Sequence, residues 1–217
     1  LNFASADRVE WAEGSAAGQD WYEAIDVAPD VLFINMTFSG RPDEDEAFIV
    51  NLRTRRVLSV RERVRPASEA PGEPRVRQDY TPGIVGDPAV PATGIEPAPT
   101  RDLIGLTAHY EYSPQHVYEH VYLSSQRYAW QNIVGVQRGH GDVDLATTYK
   151  FDHNQYVFGF REFIIPVASI FFYNWDDMRS TGKFLGVTSQ GTIENKPAGA
   201  FIAMKSRTSY DDSKQPV

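Results

Sequence analysis

Short runs of alternating apolar and polar side chains recur along most of the chain, a pattern typical of β-strands that bury one face. In the N-terminal part these runs are rich in β-branched and aromatic residues. They lie at residues 9–11, 21–27, 31–38, 47–52 and 56–64. We therefore predict an N-terminal β-sheet region over residues 1–65, with the runs at residues 9–11 and 21–27 at its edge.

Proline is concentrated between this region and the next set of runs. Eight of the 14 prolines of the chain fall within residues 66–99. Proline has no backbone N–H to donate to a strand ladder, so it disfavours central strands. We predict that residues 66–101 form a Pro-rich linker or surface loop that separates two parts of the protein.

Alternating runs return after residue 106, separated by short turn signals. The predicted strands lie near residues 107–112, 117–123, 127–134, 145–151, 156–163, 167–174, 183–188 and 200–205. Many short strands at this spacing favour a sandwich or a barrel. We predict an all-β protein whose second domain covers residues 102–205, followed by a polar tail over residues 206–217.

One predicted strand places a carboxylate at the end of an aromatic row. Side chains alternate between the two faces of a strand, so Tyr156, Phe158, Phe160 and Glu162 share a face. Burial raises the pKa of a carboxyl group, which suits it for proton transfer near neutral pH. The structural alternative is a glutamate at the rim that pairs with a neighbouring Arg or Lys.

Three other predicted strands also carry an aromatic face. The residues that share a face are Tyr110 with Tyr112, then Tyr118 with His120 and Tyr122, then Tyr128 with Trp130 and Asn132. Gln131 lies on the opposite face of the last of these strands. Tyr and His combine an apolar body with a polar tip, which suits the wall of a cavity and equally suits an ordinary sheet surface.

The histidines do not have the spacing of a metal site. His116 and His120 are four residues apart, which on a strand separates them by ~13 Å, too far to chelate one ion. The sequence also lacks a His-Glu-x-x-His motif, a Gly-rich phosphate loop and a nucleophile elbow. We therefore predict a site that uses no metal and no cofactor.

Composition narrows the classes of partner. The net charge of −8 repels phosphate backbones, so we expect no nucleic-acid partner. No run approaches the ~18 apolar residues of a membrane-spanning helix, and the absence of Cys excludes disulfides. The start at Leu1 leaves a removed leader open, but no apolar core of a signal peptide is present, and we expect a cytoplasmic protein.

The C-terminal part resembles a known family. The segments that carry the resemblance are Tyr112-Ser113, Tyr118-Glu-His-Val-Tyr-Leu123, Tyr128-Ala-Trp130, Tyr156-Val-Phe158, Arg161-Glu162, Pro166, Met178-Arg-Ser-Thr-Gly-Lys183 and Asn195-Lys-Pro-Ala-Gly199. They look like the molybdenum cofactor biosynthesis protein F (MoaF) family, which residues 20–65 resemble more weakly. The resemblance implies an antiparallel, lipocalin-like (calycin) β-barrel with an additional N-terminal sheet.

The order of features is also similar to that of bacterial phenolic acid decarboxylases, which are small barrels of the same type. In that family two tyrosines on the first strand bind the substrate, and a Glu and an Arg carry acid/base and anchoring roles. By order, Tyr110 and Tyr112 match the tyrosines and Glu162 matches the Glu, whereas the Arg position falls near Gln131. Arg161 could substitute only if a twist or bulge turned it inward, so decarboxylation of a phenolic acid is in doubt.

These observations lead to three hypotheses. The first is a cofactor-independent lyase, isomerase or cyclase for a small aromatic or polyketide-like molecule, in which Glu162 moves the proton and Tyr110, Tyr112 and His120 hold a carbonyl or phenol. The second is a lipocalin-type carrier of a small hydrophobic ligand, and the third is a solid core with a structural role. The predicted ligand-binding residues are Tyr118, Tyr122, Trp130, Gln131, Phe158, Phe160 and Arg161. A homodimer is left open.

Overall fold

The protein is built almost entirely from antiparallel strands. The structure, a computed structural model, describes residues 1–217 except for the side chain of Asp212. The described residues form sixteen β-strands and two short 3₁₀ turns, Ala67–Glu69 and Asp212–Lys214. No helix in this part of the chain has the length and hydropathy needed to cross a membrane.

The first seven strands form one sheet in chain order, each antiparallel to the next. They are β1 (Asn2–Phe3), β2 (Arg8–Glu13), β3 (Ala16–Ala28), β4 (Val31–Thr37), β5 (Glu44–Asn51), β6 (Arg56–Val64) and β7 (Val76–Ile84). The predicted N-terminal sheet is therefore present.

The predicted linker needs correction, because strand β7 lies inside residues 66–101 and pairs with β6 along its whole length. Pro82 sits opposite Leu58 in this pairing. Strand β7 is the last strand of its sheet, and an edge strand tolerates a residue that has no N–H to donate. The proline-rich stretch therefore consists of the segment before β7, the edge strand itself and the segment after it, and the sheet continues to Ile84.

The remaining strands form a closed barrel. They are β8 (Ala98–Pro99), β9 (Leu106–Ser113), β10 (His116–Tyr122), β11 (Arg127–Val134), β12 (Gly141–Asp152), β13 (Gln155–Arg161), β14 (Val167–Asn174), β15 (Arg179–Val187) and β16 (Ile193–Arg207). Neighbouring strands from β9 to β16 pair antiparallel, β16 closes on β9, and the short β8 adds to β12. The predicted all-β fold, a barrel with an additional N-terminal sheet, is confirmed.

The two ends of the barrel differ. Four hairpins, after β9, β11, β13 and β15, meet at one end. At the other end the C-terminal tail crosses the barrel, where Thr208 N donates to Gly105 O at 2.8 Å and Ser125 N donates to Val217 O at 3.0 Å. Gly105 has a φ of +83°, and a Cβ there would lie 2.4 Å from Thr208 O, so only glycine fits this contact.

The N-terminal sheet packs on the outer face of the barrel. The side chains that meet in this layer are Phe33, Ile49, Leu58 and Val60 from the sheet and Val157, Ile170 and Phe172 from the barrel, all at most 1% exposed. Gly159 allows the close approach, because a Cβ there would lie 2.0 Å from the Tyr80 hydroxyl. The N-terminal sheet thus covers part of the outer surface of the barrel.

A buried ionic cluster joins the sheet to the barrel. Lys183 of β15 is fully buried; its Nζ lies 2.5 Å from Asp45 Oδ1 and also contacts Glu62 Oε2. Burial raises the pKa of Asp45, and the Lys183 ammonium opposes this shift. Gln78 Nε2 also donates to Glu62 Oε1 at 2.7 Å. Charges removed from water in this way are tolerated only because they are paired.

We predict that Lys183→Met destabilises the protein by about 3–5 kcal/mol, because it leaves two buried carboxylates without their cation. The matched control is Lys196→Met, which removes an exposed pair with Glu194 at 2.6 Å and should cost less than about 1 kcal/mol. Urea unfolding of both variants measures the difference. Equal effects of the two substitutions would contradict the role of the buried cluster.

Candidate functional site

A cavity of about 470 Å³ opens at the barrel end where the four hairpins meet. Its wall is mainly aromatic, formed by Tyr112, Tyr118, Tyr128, Trp130, Phe160 and Phe184. These residues come from strands β9, β10, β11, β13 and β15, and each points inward by the strand alternation. The volume falls in the range of small-molecule sites.

His120 lies deep in this cavity and is 4% exposed. Its ring stacks near Tyr110, with the ring centroids 4.3 Å apart, and meets Tyr128 edge-on at 5.1 Å. Burial lowers the pKa of His120 to about 3, so the imidazole is neutral at physiological pH. Its Nδ1 is buried without a hydrogen-bond partner in the described part of the chain. A buried ring nitrogen in this state is available to a ligand.

Glu162 is the first residue after β13 and lines the cavity. Its backbone N–H donates to Val167 O at 3.0 Å, which fixes the base of the β13–β14 hairpin. No described residue forms a hydrogen bond or an ion pair with its carboxyl group. Burial, aided by the negative charges of Asp144 and Asp142, raises the pKa of Glu162 to about 8. The carboxyl group is therefore mostly protonated at neutral pH.

Asp144 is a second carboxylate behind the wall, and it is 1% exposed. It accepts hydrogen bonds from Trp130 Nε1 at 2.9 Å and from Phe163 N at 3.1 Å. It therefore positions both a cavity aromatic and the residue next to Glu162. Sequence reasoning missed Asp144 because the predicted strand began at residue 145; its parity with Ala146, which faces the barrel core, was the available signal.

Two tyrosine hydroxyls in the cavity wall are free to contact a ligand. Tyr112 and Tyr128 form no side-chain hydrogen bond with any described residue, whereas Tyr118 donates to Gln137 Oε1 at 2.9 Å. Burial raises the pKa of both Tyr112 and Tyr128, so both remain neutral donors. Together with His120 they provide uncharged polar groups in the cavity that Glu162 also lines.

The comparison with known families covers both parts of the chain. Residues 1–65 match the MoaF N-terminal domain and residues 97–208 match the MoaF C-terminal domain. The chain belongs to the MoaF family. Protein MoaF of Klebsiella aerogenes is 30% identical to this chain over an alignment of 210 residues. The match covers 88% of this chain and 76% of that protein.

One solved structure aligns with part of the chain. It is the crystal structure of "a putative beta-lactamase from Burkholderia vietnamiensis", with a TM-score of 0.41 and 10% sequence identity. The match covers 48% of this chain and 95% of that one. A likeness at this level carries no argument about the function of the MoaF-family chain.

The two densest MoaF-family motifs serve different parts of the molecule. The segment Tyr118–Leu123 supplies Tyr118 and His120 to the cavity. The segment Met178–Lys183 instead supplies Lys183 to the ionic cluster beneath the N-terminal sheet. The first motif therefore contributes to the cavity, and the second joins the barrel to the N-terminal sheet of this MoaF-family chain.

Several predicted site residues face inward but lie below the cavity. The hydroxyl of Tyr122 is 2.6 Å from that of Tyr110 and donates to that of Tyr173 at 3.1 Å. Phe158 stacks on Tyr173 with ring centroids 5.6 Å apart. These side chains pack the closed half of the barrel, and Tyr110 reaches the cavity only through its contact with the His120 ring.

Two predicted ligand-binding residues lie outside the barrel. Gln131 is exposed and donates to Glu119 Oε2 at 2.5 Å. Arg161 Nη1 donates to Gln78 Oε1 at 2.8 Å and to Thr147 Oγ1 at 3.1 Å, between the barrel and the N-terminal sheet. Strand alternation turns both away from Glu162, and no bulge reverses Arg161. The structure does not bring either residue to the cavity.

Metal-ligating side chains are dispersed in the MoaF-family barrel. Among the described residues, no group of three or more His, Cys, Asp or Glu could hold a metal ion. His116 lies at the mouth and its Nδ1 is 3.0 Å from Ser113 Oγ, whereas His109 Nε2 lies 3.3 Å from Glu119 Oε1. The chemistry available to the cavity itself comes from Glu162, His120 and the tyrosines.

We predict that Glu162→Gln stabilises the protein at pH 9 relative to its effect at pH 5. The folded-state pKa of about 8 exceeds the ordinary value of about 4.3, so the protonated Glu162 contributes stability that is complete below about pH 4.3 and lost as the pH rises through about 8. Gln carries no such loss. The difference in melting temperature between variant and wild type should therefore increase with pH.

The matched control is Glu111→Gln, because Glu111 is exposed on β9. Its difference from wild type should be the same at both pH values. A Glu162→Gln difference that does not change between pH 5 and pH 9 would contradict the partly buried, unpaired state of this carboxyl group.

Proposed function

We propose that this protein is a cofactor-independent acid/base enzyme, a lyase, isomerase or cyclase, that acts on a small aromatic or polyketide-like molecule held in the barrel. The observation that carries the proposal is the Glu162 carboxyl group, which lines the cavity, has no protein partner among the described residues and has a pKa raised to about 8. A group that titrates near the working pH can both accept and return a proton.

The groups around Glu162 suit proton transfer at a carbon next to a carbonyl. In its ionised form Glu162 takes the proton from that carbon, and the electron pair of the C–H bond moves to the carbonyl oxygen. The hydroxyls of Tyr112 and Tyr128 donate hydrogen bonds to the resulting enolate, and neutral His120 adds a third polar contact. If the enolate is conjugated with a C=C bond, return of the proton from Glu162 to the far carbon of that bond moves the double bond and completes an isomerisation. In a lyase the enolate expels a leaving group from the β-carbon, and that group takes the proton from Glu162. In a cyclase the enolate carbon forms a bond to a second carbonyl carbon of the same molecule, and the oxygen of that carbonyl takes the proton from Glu162.

Tyr110 has a supporting part in this proposal. Its ring contacts the ring of His120 at 4.3 Å between centroids, and its hydroxyl bonds with Tyr122. It holds the imidazole in place from below without touching the ligand. Tyr128 takes the second hydroxyl position that the sequence had suggested for Tyr110.

The second candidate is a carrier, which the mainly aromatic wall favours. A protonated Glu162 is uncharged, so an apolar ligand could occupy the cavity without any proton transfer. The two candidates differ in one respect, which is whether the protein accelerates exchange of carbon-bound hydrogen with solvent.

The test uses p-hydroxybenzalacetone, a planar phenolic ketone with exchangeable methyl hydrogens, incubated with the protein in deuterated buffer. NMR measures the rate of deuterium incorporation. We expect wild-type protein to accelerate the exchange, with a rate that rises with pH and levels off above about 8 because the ionised Glu162 is the base. Glu162→Gln should reduce this rate by ~10²-fold or more.

Glu111→Gln, on the outer face, is the control and should retain the wild-type rate. The folded state of each variant is checked by its melting temperature. Ketone binding without acceleration by wild-type protein would support the carrier and contradict the enzyme. An unchanged exchange rate in Glu162→Gln would show that Glu162 is not the base.

A further inference from the structure

The side chains around the cavity include more acidic groups than basic ones. Among the described residues that line it, the carboxylic side chains are Glu162 and Glu194 and the cationic one is Lys196. Lys196 is already paired, since its Nζ lies 2.6 Å from Glu194 Oε2. Asp142 and Asp144 add negative charge behind the wall next to Glu162. A ligand in the cavity therefore meets no unpaired cation from the lining residues that the structure describes.

The arginines near this end of the barrel do not change this picture. The guanidinium of Arg161 is turned to the outer face and bonded to Gln78 and Thr147. Arg127 lies over the ring of Phe163, with Cζ 4.9 Å from the ring centroid. Arg138 is exposed in the loop after β11 and is not part of the cavity lining. A carboxylate inside the cavity would therefore lack the unpaired cation that forms the strongest hydrogen bonds with such a group.

The polar groups that the cavity does offer are uncharged. The hydroxyls of Tyr112 and Tyr128 lack protein partners among the described residues, and His120 Nδ1 is buried without one. Hydrogen bonds from neutral donors suit carbonyl and hydroxyl groups, and the flat aromatic walls suit a planar ring. The arrangement therefore complements an uncharged polar aromatic molecule.

We infer that the cavity selects an uncharged planar aromatic ligand with a carbonyl or hydroxyl group and discriminates against the corresponding carboxylate. This inference rests on the same site as the proposed function and narrows its substrate class. Its physical basis is the cost of removing a carboxylate from water into a site that offers no free cation and lies next to the negative charges of Asp142 and Asp144.

The experiment compares two ligands of nearly the same shape, p-hydroxybenzalacetone and p-coumarate. In the first a methyl ketone stands where the second has a carboxylate. Isothermal titration calorimetry with wild-type protein at pH 7 measures both dissociation constants. We expect the ketone to bind at least tenfold more tightly than the carboxylate.

The variant Glu194→Gln sharpens the test, because it frees Lys196 to pair with an anionic ligand. We expect it to tighten p-coumarate binding severalfold and to leave ketone binding unchanged, whereas the control Glu111→Gln should alter neither. Equal affinities in wild-type protein, tighter binding of the carboxylate or no binding of the ketone would overturn the inference. Selective binding of the ketone without deuterium exchange would contradict the proposed acid/base enzyme and would still support the selectivity for an uncharged ligand.

Discussion

Strands β13, β14 and β15 are covered on both faces, and much of the structure depends on this constraint. On β14, Phe171 and Tyr173 face the barrel interior, whereas Ile170 and Phe172 face the N-terminal sheet. All four are at most 1% exposed. A strand buried on both sides needs apolar residues without interruption, which explains why residues 167–174 read as a nearly continuous apolar run. The N-terminal sheet therefore shields the apolar outer faces of these strands from water.

The same double cover accounts for the buried charges. Lys183 emerges from the outer face of β15 into the layer beneath the sheet, where water cannot reach it. Asp45 and Glu62 of the sheet meet it there, so the ion pairs form only when sheet and barrel are correctly aligned. A partner of opposite charge is required at each of these positions. The cluster thus adds a requirement for charge pairing to the apolar packing between the sheet and the barrel.

The inner faces end in the site. Each strand around the cavity contributes the side chains that point into the barrel. On β13 this row of side chains ends at Glu162, where the barrel opens. Packing fills the closed half with Tyr110, Tyr122, Tyr173 and Phe158, so space remains only near the hairpins. Glu162 is consequently at the edge of a solid aromatic core, buried enough to lose most of its hydration and yet in contact with the cavity.

Sequence alternation was sufficient to predict the fold class and the faces of the strands. It placed Glu162, Tyr112, His120, Tyr118, Trp130 and Phe160 on the inner surface, and all of them line the cavity. Alternation could not predict how far each side chain lies from the open end of the barrel, because every second residue of a strand points inward whatever its depth. For this reason Tyr110, Tyr122 and Phe158 were expected at the ligand but lie in the packed half.

Other features depended on contacts between distant segments. Strand β7 was hidden by its proline, whose tolerance follows from its place at the sheet edge. The pairing of Lys183 with Asp45 and Glu62 joins positions more than 100 residues apart, and no local pattern specifies it. Gln131 and Arg161 were included by analogy with a related barrel, although their parity already placed them on the outer face.

The central claim is that Glu162 is a partly buried and unpaired carboxyl group that titrates near neutral pH. The most direct measurement is an NMR titration of the side-chain carboxyl carbon of Glu162, assigned by the signal that disappears in Glu162→Gln. The account predicts a pKa of about 8. A value near 4.3, the ordinary value for Glu, would show that the carboxyl group is hydrated or paired with a cation, and it would contradict the account.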